Sequence, residues 1–375
     1  MEIPGEDTVP QFPKLTQDEM RQRLEPPSGR IRLLIDTDTH NEIDDQYAIA
    51  WALLSQDVFD IEGVVAEPYS HRHHREPLLA AYDALKQNAN TNVGTTMPDI
   101  AMRYAVSARR MIENGMNPHE IRFVDPDEGM ELSYQEILKV FELLDEDPSG
   151  KVFRGSPGYM QTLEKPIHSP AAEFIVQRAM ADDDRPLYIA AIGCLTNIAS
   201  AILIEPEIIR RIVILWTSSY PSHIEHFSHL ASLNLMQDPI SSRLLFDCGV
   251  PHVYLPGFYI GEQLKLSLPD MERWVKGKGK IGDYLYHLYT HNPIHPMIGV
   301  NDHFGRTWVI WDVINIAWLL NPDWVPSHIV HSPVLTDDLY YRQDTSRHLM
   351  RETYGCNRDE IFRDFFTKLN QAPRA

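Results

Sequence analysis

Cysteine, basic side chains and long apolar runs are all scarce in this chain of 375 residues. Its three cysteines lie far apart and fit no zinc spacing, which argues against a disulfide framework and indicates a reducing compartment. Lysine and arginine number 34 against 53 aspartates and glutamates, and the net charge of −19 disfavours nucleic-acid and membrane partners. No apolar run reaches the roughly 18–20 residues that a membrane span needs. We therefore expect a soluble, cytoplasmic protein.

The domain organisation follows from where the apolar pattern begins and where it is interrupted. Residues 1–29 are polar and carry five prolines, so we expect an N-terminal arm, whose acidic start is unlike a secretory signal. Residues 30–375 are expected to form a single domain, since the sequence contains no internal repeat. Within it, residues 71–130 and 270–307 predict insertions, because a long interruption of a compact fold is commonly a functional cap.

Between residues 31 and 255, short apolar runs alternate with stretches whose apolar residues recur at helical spacing. Predicted strands are 31–35, 61–66, 152–153, 187–192, 212–216 and 253–255, and predicted helices are 44–55, 171–180, 197–203 and 239–247. This alternation predicts an α/β protein with a doubly wound, mostly parallel sheet and a Rossmann-like core. Such sheets bind ligands beyond the carboxyl ends of the strands, and we expect the helical insertions at that edge.

The first predicted strand ends in a loop that holds four aspartates and a glutamate within ten residues, from Asp36 to Asp45. A helix N-terminus favours acidic residues and would account for Asp44 and Asp45, but it leaves Asp36 and Asp38 unexplained. Carboxylates crowded at one strand end repel one another unless a cation neutralises them, and Ca²⁺ or Mg²⁺ prefers such oxygen ligands. Asp312, at the head of an apolar predicted helix, is either a helix cap or a distant ligand of the same ion.

Four motifs along the chain follow the order in which one enzyme family carries them. They are Asp36-Thr37-Asp38 with Asp44-Asp45-Gln46-Tyr47-Ala48, Gly193-Cys194-Leu195-Thr196-Asn197, Asn234-Leu235-Met236-Gln237-Asp238-Pro239, and Trp311-Asp312. On these motifs the chain resembles the inosine–uridine-preferring nucleoside hydrolase family, over roughly residues 30–70 and 130–370. The resemblance implies a nucleoside hydrolase-like fold and hydrolysis of the N-glycosidic bond of a nucleoside, its small-molecule partner. It also implies a homo-oligomer, either a dimer or a tetramer.

The same resemblance implies roles for individual side chains around one Ca²⁺ ion. The ion would be bound by Asp38, Asp45, the main-chain carbonyl of Thr196 and the carboxylate of Asp312. Asp38 would also be the general base that accepts a proton from the attacking water. Asp44 and Asn234 would bind the ribose 2′- and 3′-hydroxyls, and Asp36 would orient the other acids from behind.

The chain departs from the family pattern in three loops. Five residues separate Asp38 from the following pair of aspartates where the family usually has three, so Asn41 or Glu42 could approach the ion. Ser232 replaces the acid that usually contacts the 5′-hydroxyl, which would weaken selection for a free 5′ group. The histidine-rich residues 71–74 are expected to form a solvated loop or a pocket wall, because the cysteines or second histidine pair of a zinc site are missing.

Trp311 stands where many members of the family have a histidine that protonates the leaving base. The purine-specific branch has a tryptophan there that stacks on the base, so we predict a purine-type substrate and stacking by Trp311 in place of a dedicated acid. Two alternatives are open: Trp311 could be a core aromatic, or a true acid could come from the second insertion. The candidate acids are His287, His291, His295 and His303.

Two other functions compete with nucleoside hydrolysis. Haloacid-dehalogenase-type phosphohydrolases also place Asp-x-Asp after an apolar strand, but they have Thr or Val at the position of His40, and no lysine follows a later strand convincingly. The other candidate is a catalytically idle relative that binds a ribosylated ligand. Retention of the three predicted carboxylate ligands argues against it. Ribose release from a nucleoside panel, with and without chelator, separates the three functions.

Overall fold

A computed structural model describes residues 11–87, 99–224 and 231–372, with only the backbone of 99–103. Its strands are β1 (Ile31–Thr37), β2 (Phe59–Ala66), β3 (Val152–Phe153), β4 (Leu187–Ala191), β5 (Ile212–Ser218), β6 (His252–Pro256), β7 (Lys265–Ser267), β8 (Thr307–Val309), β9 (Ser327–His331), β10 (Val334–Leu335), β11 (Tyr341–Arg342) and β12 (Leu349–Thr353). Its helices are α1 (Gln17–Leu24), α2 (Asp44–Leu53), α3 (Arg75–Gln87), α4 (Asp99–Glu113), α5 (Pro126–Leu143), α6 (Pro170–Ala179), α7 (Thr196–Ile204), α8 (Leu233–Met236), α9 (Pro239–Asp247), α10 (Leu268–Asp270), α11 (Gly279–Thr290), α12 (Val313–Leu320) and α13 (Arg358–Gln371). Among the helices so described, none combines the length and the apolar character that crossing a bilayer requires.

Eight strands form one central sheet in the order β3-β2-β1-β4-β5-β6-β12-β9. Neighbouring strands are parallel, except that β9 at one edge runs antiparallel to β12. The strand order runs outward in both directions from β1 and β4, so the predicted doubly wound, mostly parallel sheet is confirmed. Ligands of such sheets bind where the strand order reverses, which here is beyond the carboxyl ends of β1 and β4.

Helices cover both faces of the sheet and create two separate hydrophobic cores. Successive residues of a strand point to opposite faces, so Leu33 and Ile35 of β1 lie in one core while Leu34 lies in the other. Helices α2, α5, α11, α12 and α13 complete the first core, and α6, α7 and α9 complete the second. Every residue of β1 is buried, as expected for a central strand that is covered on both faces.

The predicted strands and helices between residues 31 and 255 are all present, and their ends lie within two residues of the predicted ends. The predicted N-terminal arm contains a docked helix, because Met20 and Leu24 of α1 pack against Leu349 of β12. Its residues 1–10 lie outside the described residues. The first predicted insertion contains α3 and α4 but ends before residue 130, since α5 begins at Pro126 and packs on β2 and α2.

Phe365 anchors the C-terminal helix α13 in the first core and provides a test of this packing. Its side chain is fully buried, with the ring centroid 5.9 Å from those of Tyr47 and Trp51. We expect Phe365→Ala to lower the free energy of unfolding by about 3–5 kcal/mol, because the change removes a buried ring and leaves a cavity. Phe366→Ala, at a half-buried position next to it, is the matched control and should cost clearly less. Equal losses in urea-unfolding curves would contradict the assigned packing.

Candidate active site

Three carboxylates from two distant parts of the chain meet beyond the carboxyl end of β1. Asp44 and Asp45 open α2, and Asp312 immediately precedes α12. Because α12 packs against α2, one oxygen of each of the three carboxylates lies within 4.8 Å of the others. Asp312 stands at the N-cap position of α12, but its side chain makes no capping hydrogen bond and joins the cluster instead.

A cavity of about 200 Å³, the main cavity below, opens beside these carboxylates. The residues that line it include Asn41, Glu42, Asp44, His71, His74, Ile192, Ser232, Asn234, Phe258, Ile294, Trp311 and Asp312. One part of the wall is therefore acidic, and another is aromatic and rich in histidine.

Asp38 lies beside the carboxylate cluster and is entirely buried. Its Oδ1 has no hydrogen-bond partner, and its Oδ2 lies 3.5 Å from Nε2 of Gln237. Asp45 is similar, because its Oδ1 accepts from the hydroxyl of Thr37 while its Oδ2 has no partner. A Cβ at Gly193 would lie 3.0 Å from the carboxylate carbon of Asp38, so glycine permits this close approach of the two loops. Two buried carboxylate oxygens are thus left without a donor within the described residues.

The site acids, as we call them below, are Asp38, Asp44, Asp45 and Asp312. No lysine, arginine or histidine in the described ranges forms an ion pair with them. Burial raises the pKa of Asp38 to about 8 and that of Asp44 to about 6, while burial and then neighbouring carboxylates raise the pKa of Asp45 and Asp312 well above its usual range. Crowded, buried oxygen donors of this kind fit a hard divalent cation such as Ca²⁺.

Asp36 lies behind the site acids and is fully buried. Its Oδ1 accepts from Nδ2 of Asn197 at 2.9 Å, and the same amide nitrogen donates to the carbonyl of Ala66 at 2.9 Å. Glu67 is also buried there, and its Oε2 accepts from the thiol of Cys194 at 2.7 Å. Burial raises the pKa of Asp36 to about 6. These bonds tie the end of β1 to β2 and α7, a position that suits the predicted orienting role of Asp36.

Thr196, the predicted main-chain ligand, follows the loop after β4. It belongs to the first turn of α7, does not line the main cavity, and its hydroxyl donates to Oδ2 of Asp238 at 2.7 Å. The main-chain oxygen of this loop at the cavity belongs to Ile192, whose carbonyl accepts from Nδ2 of Asn234 at 3.1 Å. The reason is that β4 ends at Ala191, so the next carbonyl is free of the sheet, whereas carbonyls inside α7 bond along the helix. Ile192 therefore offers a main-chain carbonyl at the cavity, and the predicted role of Thr196 stays a prediction.

Both predicted ribose-binding residues, Asp44 and Asn234, line the main cavity. The Nδ2 of Asn234 donates to the carbonyls of Ile192 and Thr217 at 3.1 and 3.0 Å. The amide oxygen of Asn234 therefore remains as the acceptor for a ligand. Ser232 lies on the same wall, where its hydroxyl is 3.0 Å from that of Ser218.

Trp311 lies on the wall of the main cavity and in neither hydrophobic core, so the alternative of a core aromatic is wrong. Its ring packs edge-on against Phe258, with centroids 5.9 Å apart and planes at 86°. Cβ atoms at Gly257 and Gly261 would come within 3.7 and 3.6 Å of the indole. The indole thus sits between two glycine-bearing turns and the edge of a second aromatic ring.

None of the four predicted candidate acids of the second insertion lines the main cavity. His287 and His291 are exposed and stack on each other at 4.3 Å, while His295 and His303 line a different cavity. The histidines at the main cavity are His71 and His74 instead, so the alternative of a pocket wall for residues 71–74 is confirmed.

His71 is neutral in its surroundings, because burial lowers its pKa to about 4. Its Nε2 lies 3.4 Å from the carbonyl of Asn41 and must donate to it. The Nδ1 of His74 lies 2.7 Å from the hydroxyl of Tyr104. No signal within one sequence shows that this histidine pair, and not the later four, faces the cavity.

The longer loop after Asp38 reaches the main cavity. Asn41 and Glu42 both line it, and the main-chain nitrogen of Asn41 donates to the carbonyl of Asp38 at 2.9 Å. The indole nitrogen of Trp308 donates to Oε2 of Glu42 at 3.0 Å. Strand β8, at the end of the second insertion, is thereby tied to the acidic wall.

A comparison with family models explains why these residues occur together. The model of the inosine-uridine preferring nucleoside hydrolase family matches residues 33–360. The chain belongs to this family. The match includes all four motifs on which the resemblance depends, and the structure gathers residues of each motif at or next to the main cavity. Membership of the nucleoside hydrolase family sets aside the phosphohydrolase alternative.

Two curated relatives are non-specific ribonucleoside hydrolases named RihC. The proteins of Salmonella newport (strain SL254) and Salmonella typhi are each 30% identical to this chain over 176 residues. That match covers 45% of this chain and 53% of each relative, so it spans about half the length of the curated relatives.

Solved structures share the nucleoside hydrolase fold over nearly the whole chain. The purine-preferring ribonucleoside hydrolase from Gardnerella vaginalis superimposes with a TM-score of 0.59 at 16% identity, covering 91% of this chain and 98% of that one. The inosine-uridine preferring nucleoside hydrolase from Bacillus anthracis gives 0.54 at 17% identity, covering 92% and 100%. At such identities the likeness shows the fold alone.

Proposed function

We propose that the protein hydrolyses the N-glycosidic bond of a purine-type ribonucleoside to the free base and ribose, with Ca²⁺ as its cofactor. The observation that carries the proposal is one cavity that combines an acidic wall, without counter-charge in the described ranges, with the indole of Trp311. Groups that can bind an ion and sugar hydroxyls thus face a ring that can stack on a base. The names of the curated relatives and of one solved structure, a purine-preferring enzyme, point in the same direction.

The cation would be held by oxygen ligands from three parts of the chain. Asp38, Asp45 and Asp312 would supply carboxylates, and Ile192 its carbonyl. When bound, Ca²⁺ supplies positive charge and lowers the pKa of water in the site. Asp38 accepts the proton of the attacking water as general base, a role for which its Oδ1 has no competing partner.

The sugar would be held by its hydroxyl groups. Asp44 and the amide oxygen of Asn234 accept from the 2′- and 3′-hydroxyls, which fixes the ribose beside the site acids. Cleavage develops positive charge on the sugar in an oxocarbenium-like transition state. Carboxylates that surround this charge stabilise it more than they stabilise the neutral substrate. At the predicted 5′ end, Ser218 and Ser232 offer hydroxyls where the family usually has an acid.

The base would leave from the aromatic side of the cavity. Stacking on Trp311 raises the basicity of a purine nitrogen, so that water can protonate it. His71 cannot donate that proton, because its low pKa keeps it neutral.

Removal of Ca²⁺ is expected to abolish ribose release, and added Ca²⁺ should restore it. The physical reason is that the site acids lose their counter-charge and the attacking water its activation. Ribose release from inosine, adenosine, guanosine, uridine and cytidine, measured with and without chelator, gives the activity. Elemental analysis and the rise of Tm with added Ca²⁺ report binding separately. Asp312→Asn should weaken Ca²⁺ binding, and Asp18→Asn at an exposed position of α1 should not.

Several results would contradict this proposal. If the untreated protein contained zinc, or bound no metal at any calcium concentration, Ca²⁺ would not be the cofactor. Tight binding of a ribose analogue without ribose release from any nucleoside would indicate a catalytically idle relative.

We further propose that the protein forms a homodimer or a homotetramer. Sedimentation measures the oligomeric state directly, and a monomer at all concentrations would contradict this proposal.

A further inference from the structure

A second cavity lies between the two insertions and is not used by the proposed reaction. It is formed by α4 from the first insertion and by α11 and the segment before β8 from the second. The Nδ2 of Asn114 donates to the carbonyl of Gly299 at 2.8 Å, which fastens the two insertions together beside it. Gly299 has a φ of 70°, and a Cβ there would lie 2.9 Å from the Cβ of Arg110. Because residue 299 is a glycine, the second insertion can approach α4 closely, and the two form the walls of the cavity.

The second cavity is basic, although the chain as a whole has a net charge of −19. Arg110 and Arg306 both line it, together with His295 and His303. Arg110 forms no ion pair within the described residues, and Arg306 pairs only with Asp302, at 3.6 Å. The Nε of Arg306 is buried and has no hydrogen-bond partner. At least one guanidinium charge and one buried N–H are thus available to an anion.

The walls of the second cavity are also aromatic. Tyr289 stacks on His303, with centroids 5.6 Å apart and planes at 27°. Trp308 meets His295 edge-on, at 5.0 Å and 74°. Both the tyrosine and the tryptophan line the cavity. Aromatic walls accommodate a planar ring, while the planar fork of arginine matches the oxygens of a phosphate group.

We propose that the second cavity binds a phosphate monoester that carries an aromatic ring, of the nucleoside monophosphate class. The phosphate would pair with Arg110 and Arg306, and the ring would pack against Tyr289 and Trp308. The volume of the second cavity, about 320 Å³, lies within the range of small-molecule pockets. A free phosphate would use the arginines alone, and an uncharged nucleoside would use the aromatic walls alone.

The second cavity adjoins the main cavity through one thin partition. Ile294 lines the main cavity and the next residue, His295, lines the second. Trp308 belongs to the wall of the second cavity, and it also holds Glu42 at the wall of the main cavity by the hydrogen bond at 3.0 Å. A ligand packed against Trp308 therefore contacts a group that positions part of the acidic wall.

Isothermal titration calorimetry of the full chain with adenosine 5′-monophosphate tests the site. We expect Arg306→Gln and Arg110→Gln each to weaken binding about tenfold or more, because each removes a charge-assisted pair with phosphate. Arg109→Gln is the matched control, an exposed arginine next to Arg110 on α4 that does not line the cavity, and it should bind like the wild type. Affinity should fall as salt is raised.

Three further titrations show which part of the ligand is recognised and which cavity binds it. Inorganic phosphate and ribose 5-phosphate should bind at least about tenfold more weakly than adenosine 5′-monophosphate, because they lack the ring. Trp311→Ala should leave the affinity for adenosine 5′-monophosphate unchanged, since it alters only the main cavity. Equal affinity for inorganic phosphate, loss of binding in Trp311→Ala, or equal loss in Arg109→Gln would each overturn the proposal. Arg306→Lys keeps the charge without the fork and should give an intermediate affinity. Circular dichroism of each variant confirms that it folds.

Discussion

Asp38→Asn is expected to lower kcat for ribose release by at least about 10²–10⁴-fold, the contribution of a general base alone. Asparagine keeps the shape and one oxygen that can bind a cation, but it cannot accept the proton of the attacking water. Asp38→Ala should lower kcat further than Asp38→Asn, because it also removes an oxygen ligand from the proposed ion site. Steady-state kinetics on a purine nucleoside measures the loss, and the affinity for Ca²⁺ separates the two roles.

The fold should survive both changes at Asp38. The side chain is buried beside other carboxylates, so removing its charge relieves repulsion from Asp44 and should not unfold the chain. Circular dichroism and unfolding curves are the check, and Asp18→Asn, exposed on α1, is the control. Near-normal activity of Asp38→Asn would show that the base lies elsewhere. Glu42 and Asp44, which line the main cavity, would then be the groups to change.

The acidic loop could be predicted from sequence because its cause is local. An apolar strand that is covered on both faces, followed at once by several carboxylates, specifies both the strand end and the charge that collects there. The meeting with Asp312 depends on the packing of α12 against α2, which no local pattern encodes. The contact of Asp312 with the acidic loop could be predicted only because the motifs occur in the same order as in the nucleoside hydrolase family.

Two positions show where sequence reasoning ends. Thr196 and Ile192 are four residues apart, and only the observed end of β4 decides which carbonyl leaves the sheet at the cavity. Strand β12, between β6 and the edge strand β9, could not be predicted for another reason: all its residues are buried although they include Arg351 and Glu352. Their charges are satisfied by remote partners, since Arg351 donates to the carbonyl of Leu24 and Glu352 accepts from the main chain of Ser222. A strand that buries paired charges does not show an apolar pattern.

Trp311→Ala is expected to lower kcat/KM for purine nucleosides by about 10–100-fold, the range that loss of stacking on one base costs. Trp311→Phe should lose less, since a smaller ring still stacks. The effect on pyrimidine nucleosides should be smaller, because a single ring overlaps less with the indole. The wild-type enzyme should accordingly prefer purines. Phe258→Ala removes the ring that packs edge-on against Trp311. It should lower kcat/KM for purine nucleosides less than Trp311→Ala does, and again more than for pyrimidine nucleosides.

The competing account places a true acid at the leaving base, and the structure narrows its candidates. His287, His291, His295 and His303 do not line the main cavity. Of the two histidines that do, His71 is neutral because burial lowers its pKa to about 4, so His74 is the histidine of this cavity to test as the acid. His74→Ala could abolish the activity together with the acidic limb of its pH profile, while Trp311→Phe leaves the activity unchanged. Stacking on Trp311 would then not be the means by which the base leaves. If His74→Ala retained the wild-type pH profile and Trp311→Ala lost the preference for purines, protonation from solvent of a stacked purine would account for the reaction.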